Sequence, residues 1–380
     1  MKICAIICEY NPFHNGHLYQ IQEAKRLSGA DAILCIMSGN FVQRGEAAIL
    51  DKFTRAKHAV LAGADVVVEH PTPFAISNAE LFAKGAISIL SKIPSVTTLC
   101  FGAENASKTA FTLAARYLND EPKEISEKIK SYASEGMSYA KARAKAWVGF
   151  LPLDLLCSPN NILALEYTRA ILNANASIEI FPIQRVGGGY KDEQIKENYS
   201  SASAIRQAIL EELPIQGNLP DYVKEILPNT LENKLDVLEK YAILSRSTEE
   251  IKKVCDCTEG LENAFKKAAL LSTPLVESLT SSRYTASRIR RIALQNLLNI
   301  DENLIRKGLN APLYLRILAA NKTRSDVFSA LAESSLPTIA RAHDEETLSG
   351  VAKTIYEKDV FAEKIYGLLY PIKNERNIFV

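Results

Sequence analysis

Short apolar runs alternate with amphipathic stretches over the first half of the chain. Residues 2–8, KICAIIC, are apolar almost without a break, which predicts a strand buried on both faces. From about His17 to Leu27 the apolar positions Leu18, Ile21 and Ala24 recur at helical spacing, and Gly29 supplies the stop. The same alternation predicts strands at 32–37 (AILCIM), 65–70 (DVVVEH) and 97–102 (TTLCFG). It predicts helices over 51–64 and 78–93, the second ended by Pro94. Strands separated by helices imply right-handed crossovers and a parallel α/β sheet. In such sheets ligands bind beyond the carboxyl ends of the strands. His14, Ser38 to Arg44, His70 and Gly102 all follow strands and are therefore expected on one rim.

Further along, residues 105–150 are helical and rich in charge, as for an insertion lying over the sheet. Residues 161–174 form another helix pattern, and 178–185 (IEIFPIQR) a fifth strand. A glycine-rich loop, 186–192, precedes a helix over 200–212 whose N-cap is Ser200 or Ser201. After about Gly217 the strand signal fades into mostly helical segments. This places a first domain at 1–230 and a mostly helical second domain at 231–380.

Composition narrows the class without fixing the function. The chain has 380 residues, 47% hydrophobic and 23% charged, with a formal net charge of +1. Those values suit a folded protein with a sizeable core, and they leave any nucleic-acid contact to local basic patches. There is no apolar run of membrane-spanning length. The first apolar run is too short for a secretory signal and is soon interrupted by His14 and Asn15, so a cytoplasmic protein is expected. Of the seven cysteines, Cys4, Cys8, Cys35 and Cys100 fall in strand-like runs, where a thiol packs as a small hydrophobe. The odd count argues against a disulfide framework, and Cys255-Asp256-Cys257 has no second pair at zinc spacing.

The candidate chemistry lies where the first strand becomes the first helix. A helix N-terminus offers unpaired N–H groups and partial positive charge, which suit a phosphate. Gly16 leaves room for close approach, and His14 and His17 can add two imidazole donors on the same side. The bland reading is a pair of capping or packed polar residues. The strand–turn–helix setting favours the functional one.

The string His14-Asn15-Gly16-His17 resembles the HxGH signature of the nucleotidyltransferase superfamily, whose fold is a Rossmann-like parallel sheet. Ser201 to Arg206 resembles its later Ser-rich phosphate motif, with Ala202 as a departure. The longer stretches EYNPFHNGH, MSGNFVQRGE, KFTRAKHAVLAGAD, NAELFAKGAI, SPNNILALEY, QRVGGGYKD and RYTASRIRRIAL are similar to the bacterial tRNA(Met) cytidine acetate ligases, over essentially the whole chain. The resemblance implies an enzyme that uses ATP to form acetyl-adenylate. It then implies transfer of the acetyl group to N4 of the wobble cytidine of elongator tRNA(Met).

It also implies an ATP segment made of Ile7, Cys8, Glu9, Tyr10, Asn11, Pro12, Phe13, His14, Asn15, Gly16, His17, Leu18, Tyr19 and Gln20. Gly102, either Asn160 or Asn161, Arg185, and the phosphate-motif residues Ser201, Ser203 and Arg206 complete it. His14 and His17 are the expected catalytic residues, and Mg²⁺ is expected to accompany the triphosphate. RNA contacts are expected from Arg44, Lys52, Arg55, Arg283, Tyr284, Arg288, Arg290 and Arg291, against the bland reading of solvated basic faces. A homodimer is left open. The competing readings are a small-molecule nucleotidyltransferase and a non-catalytic RNA-binding protein.

Overall fold

The computed structural model describes residues 1–380 except 186–198, 216, 225–233 and 371–377. In chain order its strands are β1 (Ile3–Cys8), β2 (Ala32–Ser38), β3 (Phe41–Val42), β4 (Glu46–Ala47), β5 (Val66–His70), β6 (Val96–Ala103), β7 (Glu179–Gln184), β8 (Leu315–Ala320), β9 (Thr338–Ile339) and β10 (Ile378–Phe379). Eight of them form one sheet in the order β10-β8-β5-β2-β1-β6-β7, with β9 beside β8. The five strands read from the sequence are its parallel centre, in register Ile6↔Cys35 and Ile6↔Cys100 around β1. Every residue of β1, β2 and β5 is buried, which is what their unbroken apolar runs require. Odd and even positions feed two different cores: Ala5, Leu34 and Val68 pack on one face, and Cys4, Cys35 and Val67 on the other.

Helix boundaries follow local chemistry. The first helix, Asn15–Ser28, is capped by His14 and stopped by Gly29 in the left-handed region (φ 58°). Asp51 caps Lys52–Leu61, Asn78 caps Ala79–Leu90, and Ser201 caps Ala202–Leu210 through a bond from the Ala204 N–H. Three helices, Lys108–Asn119, Lys123–Ser134 and Tyr139–Ala146, occupy the charged stretch between β6 and β7. Trp147, which follows them, is buried edge-on to Phe150.

The second half is mostly helical, as expected, and it also contributes strands. The expected division near 230 and the glycines 187–189 lie outside the described residues. Beyond them the chain supplies the helices expected, then returns to the sheet. β8 pairs antiparallel with β5, in register Val67↔Ala319. β8, β9 and β10 are thus part of the same sheet. A buried charge network fixes β8 there. Lys52 Nζ lies 2.7 Å from Glu69 Oε1 and 3.2 Å from Glu363 Oε2; Arg316 bridges the same two carboxylates at 2.9 and 3.1 Å. Asp359 accepts from the Thr72 N–H at 2.6 Å and from the Tyr314 hydroxyl. Helix Gly350–Leu369 is thereby tied to the strand ends by groups that would be costly to bury singly.

Candidate active site

β1 has β2 on one side and β6 on the other, so the strand order reverses there and a crevice opens at the carboxyl ends. The chain leaves β1 and enters the first helix at His14, whose backbone is extended (φ −146°, ψ 172°). His14 Nδ1 accepts the Gly16 N–H at 3.0 Å, and the His14 N–H donates to His17 Nδ1 at 3.3 Å. The two rings stack with centroids 3.6 Å apart. Because both Nδ1 atoms accept, the neutral rings carry their proton on Nε2. Burial pushes the His14 pKa down to about 3, and the nearby Arg185 and Arg206 cations add to this. Burial also holds His17 well below the usual range, helped by His14 and Arg185. The pair is therefore neutral at physiological pH and offers two Nε2–H donors. It cannot act as a pair of cations.

A cleft of ≈ 40 Å³ opens beside these rings. Among the residues named from sequence, His14, Gly16, His17, Tyr19, Gln20, Gly102 and Arg185 line it. A Cβ at Gly102 would meet nothing nearer than Arg185 Cγ at 3.5 Å, so this backbone is open to a ligand. Ile183, Gln184 and Tyr199 also line the cleft and were missed by the sequence reading, and Ser200, expected as a cap or phosphate donor, lines it too. The first two end β7, where their place at the carboxyl end of a parallel strand could have put them on the rim.

Side chains in the middle of the Ile7–Gln20 segment pack inward. Ile7 and Cys8 are buried at the strand end; Tyr10, Asn11, Pro12 and Phe13 are buried in the turn. Asn11 Oδ1 accepts the Ile49 N–H at 2.9 Å, and the Tyr10 hydroxyl meets Cys35 Sγ at 3.5 Å. Glu9 accepts the Gln43 N–H at 2.7 Å; burial raises its pKa against the opposing pull of Arg44, Arg206 and Arg55. Asn15 donates to the Gly217 carbonyl at 2.7 Å, and Leu18 packs on the core.

The asparagine pair separates cleanly. Asn161 is fully buried: its Oδ1 accepts the Glu104 and Asn105 N–H groups, and its Nδ2 donates to the Asp154 carbonyl at 3.1 Å. Asn160 is partly exposed and donates to Glu104 Oε1 at 2.6 Å, beside the carboxylate that also attracts Arg185. Ser201 is spent on capping, while Arg206 reaches back to donate to the Asn11 carbonyl at 2.7 Å and lies 3.5 Å from Ser203 Oγ.

Two residues expected on an RNA surface are not on any surface. Lys52 and Arg55 are 1% and 0% exposed. Lys52 belongs to the buried charge network. Arg55 donates to the carbonyls of Leu50, Glu9, Ser38 and Gly39, closing the strand-end loops. Arg291 is also largely buried, 3.4 Å from an Asp256 carboxylate oxygen, and Arg288 donates to the Asp256 carbonyl at 2.8 Å. Arg283, paired with Glu259, is exposed, and Arg288 lies over the Tyr284 ring. Arg44 and Arg290 converge with Glu46 near the β3–β4 hairpin. His70 is fully buried between Phe74 and Phe82 with neither ring nitrogen partnered among the described residues, as is His58 near Tyr222. Among the described residues no three His, Cys, Asp or Glu converge as a metal cage.

The model of the HIGH Nucleotidyl Transferase family matches residues 1–378. The tRNA(Met) cytidine acetate ligase of Thermoanaerobacter sp. (strain X514) is 38% identical over 387 residues, covering 97% of this chain and 96% of that protein. The protein of the same name from Clostridium perfringens (strain ATCC 13124) is 37% identical over 393 residues, covering 98% and 96%. The crystal structure of apo Thermotoga maritima TmcAL superposes with a TM-score of 0.90 at 28% identity over 100% of both chains. The same protein bound with alpha-thio ATP gives 0.86 at 30% identity, over 99% of this chain and 96% of that one. Strand order, imidazole pair and full-length likeness agree: the chain belongs to the HIGH nucleotidyl transferase family and, within it, to the tRNA(Met) cytidine acetate ligases.

Proposed function

We propose that this chain activates acetate with ATP and transfers the acetyl group to N4 of the wobble cytidine of elongator tRNA(Met). The observation that carries the reading is the stacked, neutral imidazole pair at the point where strand order reverses, beside an open cleft. ATP lies along Gly102 with its phosphates at the first-helix N-terminus. The His14 and His17 Nε2–H groups donate to α-phosphate oxygens as acetate attacks in line and pyrophosphate leaves. Proton abstraction is unnecessary, since acetate is already ionised at neutral pH. Arg185 and Asn160 hold the nucleotide, and Arg206 with Ser203 meets the phosphate tail. Mg²⁺ would be carried in by the triphosphate rather than by a protein cage, and would offset the charge of the departing pyrophosphate. In the second step the cytidine N4 attacks the acetyl carbon, AMP leaves, and N4 gives up one proton. The base must first leave its stack.

RNA approaches over the exposed edge carrying Arg283, Tyr284 and Arg288, with Tyr284 as a stacking platform. Among the described residues no helix is long and apolar enough to cross a membrane. Work on tRNA makes the cytoplasm the proposed location.

The test is incubation with ATP and labelled acetate, with and without unmodified elongator tRNA(Met). Acetyl-adenylate alone, and labelled RNA when tRNA is added, is the expected result. Adenylation of another small molecule with no acetate dependence, or tRNA binding without turnover, would overturn the reading.

A further inference from the structure

The basic helix Ala286–Leu297 sends its arginines to two places. Arg288 and Arg291 turn toward Asp256 and a crevice of ≈ 890 Å³ walled on the far side by Arg143 and Arg169. Arg290 lies about 100° around the helix from Arg291 and turns to the catalytic rim. There its Nη1 is 2.8 Å from Glu46 Oε1. The other oxygen of the same carboxylate is 3.6 Å from Arg206 Nη2. Arg206 is the arginine bound to the Asn11 carbonyl, three residues before His14, and its charge depresses the His14 pKa.

Backbone packing fixes this arrangement. Gly45, at the tip of the β3–β4 hairpin, has φ 75°; a Cβ there would come 2.6 Å from the Arg291 nitrogen and 2.7 Å from the Arg290 carbonyl carbon. The hairpin tip thus rests directly on the basic helix. Two guanidinium groups from segments 84 residues apart in sequence share one carboxylate, and that carboxylate is partly open to solvent. Arg44 joins the two guanidinium groups beside Glu46, while Glu9 and Glu239, the other carboxyls facing them, are pushed toward their neutral forms by burial; the cluster keeps a positive surplus that a polyanion can fill, and guanidinium forks fit phosphate oxygens in pairs.

We propose that Arg290 grips the β- and γ-phosphates of ATP, together with Arg206, and that Glu46 is the resident counter-ion these phosphates replace. Arg290 then belongs to the nucleotide site rather than to the RNA surface. The inference rests on the ATP-dependent reading above. It gives the departing pyrophosphate a receptor that the HxGH turn alone does not provide.

The experiment is acetate-dependent ATP–pyrophosphate exchange without tRNA, on the wild type, Arg290→Met, Arg290→Lys and Glu46→Gln. Arg290→Met should raise KM for pyrophosphate about tenfold or more, as expected for a lost charge-assisted bond, with tRNA affinity unchanged. Arg290→Lys should recover part of the loss, and Glu46→Gln should lower KM below the wild-type value. Loss of tRNA affinity with an unaltered pyrophosphate KM would overturn the inference, as would unaltered KM values in both Arg290→Met and Glu46→Gln. Calorimetric binding of pyrophosphate to the same proteins reads the inference directly. A wild type inert with acetate that still binds pyrophosphate through Arg290 would sink the acetate reading alone.

Discussion

Replacing Gly16 with alanine should separate catalysis from stability. The added methyl would lie 2.8 Å from His14 Cε1 and 3.0 Å from its Nδ1. Real side chains do not approach so closely, and backbone holds the methyl in place, so the imidazole must swing away. It then loses the Gly16 N–H bond and its stack on His17. A lost N-cap costs about 1 kcal/mol, and alanine in place of glycine in a helix returns up to about 1 kcal/mol. The net change in stability is therefore small. The chemical step loses a preorganised donor at the reacting phosphate, worth roughly 10²–10³ in rate. The assay is the initial rate of acetate-dependent ATP–pyrophosphate exchange, read beside thermal unfolding of the same sample. A fully active Gly16→Ala protein would show that the ring position does not matter. A fall in activity that merely tracks the folded fraction would make Gly16 a packing residue.

Three further outcomes follow from the geometry. Lys52→Met leaves Glu69 and Glu363 with Arg316 alone; it should destabilise by roughly 3–5 kcal/mol in chemical unfolding and leave the tRNA affinity of the folded protein intact. Asn160→Ala should weaken ATP binding with little effect on the unfolding midpoint, whereas Asn161→Ala strands three backbone groups and should cost about 1–3 kcal/mol; calorimetry and thermal melts on both variants distinguish the roles. His70 is held at a pKa of about 3 by burial, below its unfolded value near 6.5, so the unfolded chain binds the extra proton and stability falls as pH drops from about 6.5 toward 3. His70→Leu should flatten that fall by up to about 1.4 kcal/mol per pH unit in denaturant titrations between pH 6.5 and 4, and a slope equal to wild type would show that His70 does not titrate with unfolding.

The sequence made the parallel centre legible because its strands are buried on both faces and announce themselves as apolar runs. β8 escaped because LRILAA sits among helical patterns and its partner, β5, is some 250 residues earlier in the chain. Pairing across that distance leaves no local signature. The same limit explains Lys52 and Arg55. A charged residue is exposed by default, and the carboxylates and carbonyls that permit their burial come from β5, helix Gly350–Leu369 and the strand-end loops. Asn160 and Asn161 could not be told apart because neighbours on a helix differ only in direction, which depends on what packs there. The HxGH turn, by contrast, was legible because all its geometry is local: cap, glycine and second imidazole lie within four residues.

On the acetate-activating reading proposed above, that turn also divides the site's labour. Two charged imidazoles 3.6 Å apart would repel by about 4–5 kcal/mol at an effective dielectric constant near 20, and burial opposes charging either ring. Positive charge is instead placed on Arg185 and Arg206, which surround the pair and further depress its basicity. The arginines can attract a polyphosphate from solution and hold its charge. The imidazoles contribute direction, because neutral rings with their Nδ1 atoms already bonded present one fixed donor each. A donor that neither titrates nor reorients through the neutral range favours a phosphorus centre gaining charge over one at rest, which is the condition for it to lower a barrier rather than merely tighten binding.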